Sequence, residues 1–172
     1  MKKKLVIFAA VLLTVLLATF GWWKHLHPVS RAALNEFNAS SDLPYGLATP
    51  EALLGNASDF EVVPGYGCYL LENEDISICI SGYPDVLDDG HVTRYDIKTA
   101  KYHIFGLRVG DNVGEVDATL REFGYHWDNG NNTRSAGYAK GGIRIVISEV
   151  GTGCVSEFSV SLQTTNRHHV WF

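Results

Sequence analysis

The sequence predicts an α+β protein: an N-terminal transmembrane helix, then two tandem repeats, each a helix plus an antiparallel meander. Three observations predict it. An uncharged apolar run fills residues 5–23, short stretches of alternating apolar and polar residues follow, and those stretches recur in the same order further along the chain.

The first element is the apolar run. Lys2, Lys3 and Lys4 precede it, and Trp22 and Trp23 end it. As a helix it spans roughly 28 Å at 1.5 Å per residue, close to the hydrocarbon thickness of a bilayer. Lysines before the run and an aromatic pair after it fit a signal-anchor with residues 1–4 in the cytoplasm and the body outside, in the cell membrane as a single-pass protein. The competing reading is a cleaved signal that leaves a secreted protein. Residues 24–42 read as a juxtamembrane linker, in which Ser30 caps a short helix carrying Ala33, Leu34 and Phe37.

The first repeat is expected over residues 43–101, the second over 102–165, and a tail over 166–172. Each opens with a helix. In the first, Thr49 caps and Pro50 takes the first helical position. In the second, Asn112 caps, Glu115 stands three residues on, Val113, Val116, Leu120 and Phe123 follow at helical spacing, and Gly124 closes. Strands come next, punctuated by Asn129-Gly130, Gly141-Gly142 and Gly151-Thr152-Gly153.

The repeats align without a gap over their central hairpins. "CYLLENEDISICIS" (68–81) lies over "SAGYAKGGIRIVIS" (135–148), so Ile76, Ile78 and Ile80 fall on Ile143, Ile145 and Ile147. Upstream, "FEVVPG" matches "YHWDNG"; downstream, Tyr95 matches Phe158 and Ile97 matches Val160. Strand alternation turns these isoleucines, with Tyr69, Leu71 and Tyr138, toward the helices. It turns Cys68, Leu70, Ser77, Cys79, Arg144, Val146, Ser148, Glu157 and Ser159 the other way.

Three cysteines are present: Cys68, Cys79 and Cys154. Their spacing matches neither a zinc site nor a C-x-x-C redox motif. If Leu71 pairs with Ile76 across "ENED", Cys68 stands directly opposite Cys79, within disulfide reach. A Cys68–Cys79 disulfide is one reading; three unpaired small hydrophobes is the other.

The stretch "FGLRVGDNVGEVDATLREFGY…YAKGGIRIVISEVGTGCVSEFSVSL" resembles the SmpA/OmlA-type repeat and is similar to the tandem repeats of the β-lactamase inhibitory protein family. Gly106-Leu107, Gly110-Asp111 and Glu115-Val116 carry the family opening, and the first repeat keeps only Gly46-Leu47 and the helix start at Pro50. The resemblance implies a non-catalytic extracytoplasmic module that grips a partner protein with open sheet faces. No lipid-acceptor cysteine follows the apolar run.

Charge is uneven. Ala32 to Thr93 holds no Lys or Arg, but eleven acids: Glu36, Asp42, Glu51, Asp59, Glu61, Glu72, Glu74, Asp75, Asp85, Asp88 and Asp89. Such a surface disfavours nucleic acid, whose binding rests on cations at phosphates. It suits a cationic protein or peptide partner, or simply a solvated acidic surface. The loop "YPDVLDDGH" reads as a turn rather than a calcium site. His126 and Asp128 alternate on one side of a strand; with Arg144 and Glu157 they form a candidate binding patch, or plain surface. His168-His169 falls short of a metal site, and neither a catalytic motif nor a cofactor fingerprint appears. The expected function is therefore a binding module. A structural or envelope-assembly component is the alternative, and a hydrolase with a dispersed site stands behind both.

Overall fold

The structure, a computed structural model, describes residues 8, 10–19, 29–49, 59–64, 68–81, 90–128, 134–149 and 151–163. The chain divides into two compact units, residues 29–163 and the two chain ends.

The first helix, α1, is seen over residues 10–19. Thr14 and Thr19 turn their hydroxyls back onto the carbonyls of Ala10 and Val15, at 2.9 and 3.0 Å. Among the described residues no helix is long and apolar enough to cross a membrane. This corrects the reading of residues 5–23 as a transmembrane signal-anchor.

The body holds α2 (Arg31–Ala39), β1 (Glu61–Pro64), β2 (Cys68–Glu72), β3 (Ile76–Ser81), β4 (His91–Ile97), α3 (Val113–Glu122), β5 (His126–Trp127), β6 (Ser135–Lys140), β7 (Ile143–Glu149) and β8 (Val155–Leu162). All eight strands form one antiparallel sheet, ordered β1-β2-β3-β4-β8-β7-β6-β5. The expected architecture of two tandem helix-plus-meander repeats is therefore corrected: among the described residues the chain is mostly one sheet, with three short helices. Each repeat does supply a four-stranded meander, but the last strands of the two pair with one another. Tyr95 faces Val160 and Ile97 faces Phe158. The physical reason is economy of edges: β4 and β8 cover each other's free backbone groups.

One row across the covered face shows the symmetry. It runs Val62, Leu71, Ile78, Tyr95, Val160, Ile145, Tyr138, Trp127. The six inner residues are at most 1% exposed, whereas Val62 and Trp127 at the two edges are 49% and 51% exposed. Ile78 and Ile145 hold equivalent places, as the repeat alignment expects. The last block slips by two residues, since Tyr95 corresponds to Val160 rather than to Phe158. A slip of two leaves every side chain on its own face. Each meander also has an irregularity between its last two strands, at Cys79/Ile80 and at Ser148/Glu149.

Helices α2 and α3 cover that face. Ser30 caps α2 through its side chain, and Ala33 and Phe37 are buried in the core. Residues 31–39 thus belong to the body rather than to a linker. Asn112 caps α3, with its Oδ1 accepting from Gly114 N at 2.9 Å. Tyr125 N donates to Leu120 O and Gly124 N to Arg121 O, both at 2.9 Å, the paired closure that a left-handed Gly124 (φ 78°) permits. Val116 and Leu120 are fully buried. Lys140 ties the helices to β6, bonding Glu36 of α2 and, at 2.7 Å, the Phe123 carbonyl after α3. At the β6–β7 turn a Cβ on Gly141 would lie 2.7 Å from the Cβ of Ala33, so only glycine lets α2 sit this close.

The helix expected after Thr49, most of the loop 83–91, the Asn129-Gly130 turn and the tail 166–172 with His168-His169 lie outside the described residues.

Candidate functional site

Neither α2 nor α3 packs on the far face of the sheet, and the pairing arranges that face in rows. One row reads Val63, Leu70, Cys79, Arg94, Ser161, Arg144, Ala139, His126. The next reads Glu61, Glu72, Ser77, Asp96, Ser159, Val146, Gly137, and ends at Asp128, whose N–H donates to Gly137 O at 2.8 Å. Cationic groups thus occupy one row and carboxylates the adjacent one.

Two ion pairs bridge the rows. Arg94 meets Asp96 at 2.9 Å. Arg144 Nε meets Asp128 Oδ2 at 3.0 Å, with side chains 37% and 41% exposed. That second contact is ionic without hydrogen-bond geometry, so among the described residues this guanidinium N–H lacks an acceptor. Gln163 Nε2 also donates to Asp128 Oδ2 at 3.2 Å. Gly137 makes the arrangement possible. A Cβ there would stand 2.7 Å from the Asp128 carbonyl oxygen and 3.3 Å from the Arg144 guanidinium.

Of the four residues singled out from sequence, His126, Asp128 and Arg144 fall together at the β5 end of these rows. Glu157 shares the face but pairs with Ser148, four residues along β7 from Arg144, or roughly 13 Å.

The cysteine pair is placed differently from the expectation. Cys68 pairs with Ser81 and Cys79 with Leu70, so the two cysteines are diagonal neighbours on the open face rather than direct opposites. All three cysteines are free thiols. The reason lies in the turn. Asn73 Oδ1 accepts from Asp75 N and Ile76 N at 2.9 and 3.0 Å, and Asn73 N donates to Ile76 O at 3.1 Å. This closes a two-residue turn at Glu74-Asp75, tighter than the four-residue "ENED" loop, and shifts the register by two. Burial pushes the Cys79 thiol up to about 11; the Thr93 hydroxyl acts against this, and neighbouring Cys68 adds to it.

A cleft elsewhere on the molecule escaped sequence reasoning. At the β2–β3 turn end of the first meander a cleft of about 380 Å³ is lined by Pro44, Tyr45, Asp59, Phe60, Asn73, Lys101 and Tyr102. Its aromatic residues come from three separate segments, so no local motif announces it. The aromatic content of "LPYG" and "SDFE" was the only available signal.

Among the described residues, fold and surface together define an antiparallel sheet protein, covered by α2 and α3 on one side and charge-striped on the other. Compared with protein-family models, curated proteins and solved structures, the chain matches none.

Proposed function

We propose that this protein is a non-catalytic binding module that takes a protein or peptide partner on the open face of its sheet. The observation that carries this reading is the adjoining pair of charged rows, left uncovered by α2 and α3. Partly exposed ion pairs such as Arg94–Asp96 and Arg144–Asp128 contribute little to folding, about 0–1 kcal/mol each. Their groups are therefore cheaply re-paired with a partner's charges. Leu70, Val63 and Val146 between them offer apolar contact, as a docking surface needs.

The test is capture of partners by the full-length chain, compared with Arg144→Glu and with Arg121→Glu on α3 as the control face. A partner held by the wild type and the α3 variant, lost by Arg144→Glu and weakened by salt, supports the reading. A partner retained equally by all three overturns it.

A further inference from the structure

The cleft at the end of the first meander is built around a residue in an unfavourable conformation. Tyr45 has φ 69°, in the left-handed region that bulky side chains avoid. Its neighbours hold it there. The buried Tyr95 hydroxyl donates to the carbonyl of Pro44 and, alternatively, to that of Gly46 at 3.0 Å. Asn38 clamps Leu47 from both sides, accepting from its N–H at 2.7 Å and donating to its carbonyl at 3.2 Å. Ala48 N donates to Val92 O at 2.9 Å. A conformation so firmly over-determined is one the fold maintains at a cost, as happens where a side chain is aimed for a purpose.

Tyr45, Phe60 and Tyr102 line the cleft together with Asp59, so three aromatic residues and one acid border a small space. Burial first, then the nearby Asp59 charge and Tyr102, raise the Tyr45 hydroxyl above its ordinary range, which confirms that these groups converge. Lys101 also lines the cleft, but its ammonium is bound by Asp75 at 2.6 Å and lies 5.6 Å from the Tyr102 ring. Asp59 has no ion-pair partner among the described residues. Ring faces and an unpaired carboxylate together attract a cation, and an already neutralised lysine does not reverse that.

We propose that this cleft binds the cationic end of a side chain, an alkylammonium or guanidinium, between Tyr45, Phe60 and Tyr102 with Asp59 as counter-ion. The site is separate from the open sheet face and stands or falls independently of it.

The test is NMR titration of the full-length chain with capped lysine, capped trimethyl-lysine and capped arginine. Inorganic phosphate and capped glutamate serve as anionic probes. The expected result is a saturable shift of the Tyr45 and Tyr102 resonances with the cationic probes alone. Asp59→Asn, an exposed isosteric change, and Tyr102→Ala should each weaken binding roughly three- to tenfold. Arg144→Glu on the open face should leave it unchanged. Saturable shifts with the anions instead, no saturable shift at all, or undiminished binding by Asp59→Asn would each overturn the proposal.

Discussion

Asn73 decides where Cys68 and Cys79 stand. Its side chain bonds two backbone N–H groups of the turn, which draws the hairpin two residues tighter than the apolar pattern alone suggests. Alternation correctly put both thiols on one face, because a two-residue shift preserves the face. It could not tell direct opposition from a diagonal, since both satisfy the same period. Diagonal neighbours in a sheet sit about 7–8 Å apart between Cα atoms, and here the Cys68 and Cys79 side chains still meet within hydrogen-bond reach. We propose that under an oxidising thiol–disulfide couple these two form a bond, with Cys79, whose thiol is held up to about 11, supplying little of the attacking thiolate at neutral pH. Mass analysis after incubation with oxidised glutathione should show a Cys68–Cys79 linkage whose rate climbs steeply between pH 7 and 10. A fast, pH-independent reaction, or none at pH 10, would contradict this. Tyr45 marks a harder limit of sequence reading. Nothing in "LPYGLAT" discloses that a tyrosine takes a left-handed backbone, because the cause lies outside it, in Asn38 and in Tyr95 far along the chain.

At the scale of elements the reading was closest where local rules act alone. The caps at Ser30 and Asn112, the closure at Gly124 and the inward isoleucines all follow from residue type and spacing. The sheet's equivalences turn this into a measurable statement. Ile78 and Ile145 are both fully buried, in equivalent inner strands of the same cross-sheet row. Truncating either to alanine removes the same atoms from the same kind of site, so each should cost about 2–5 kcal/mol, with the two values close to one another. Urea denaturation of Ile78→Ala and Ile145→Ala tests this; a large loss from one alone would mean that the halves do not share one cooperative core. The charged patch was legible in part for the same reason. Alternation placed His126, Asp128, Arg144 and Glu157 on one face, but only the strand registers separate Glu157 from the others.

For the molecule as a whole, periodicity could not distinguish two small sheets from one large sheet. The alternation of β4 and β8 is the same whether their outer edges meet solvent or each other, and only tertiary pairing decides. The reading of residues 5–23 as a span likewise rests on length and composition, and among the described residues no helix is long and apolar enough to cross a membrane. The united sheet buries several weak acids, which sets a pH dependence. Burial raises Tyr95, Tyr125 and Tyr138 far above the ordinary phenol range, and raises the Cys79 thiol to about 11. In the unfolded chain these groups lose protons near pH 8.5 for cysteine and about 10 for tyrosine. Above those values the unfolded state binds fewer protons than the folded one, so stability falls as pH rises. The stabilisation is complete below about pH 8 and drains away through pH 11 and beyond. Denaturant midpoints measured from pH 7 to 11.5 should be flat at first, then decline. A midpoint that holds level to pH 11.5 would mean that the phenols are not sequestered as described.

The seam between β4 and β8 has one more implication. Each repeat meets its counterpart through the same strand, running in opposite directions, which is the contact two identical subunits make about a two-fold axis. Seen this way, the sheet is laid out like two four-stranded meanders docked about a two-fold axis within one chain. Severed between Ile97 and Val113, either half would carry a bare strand edge and, in a second copy of itself, the template to cover it.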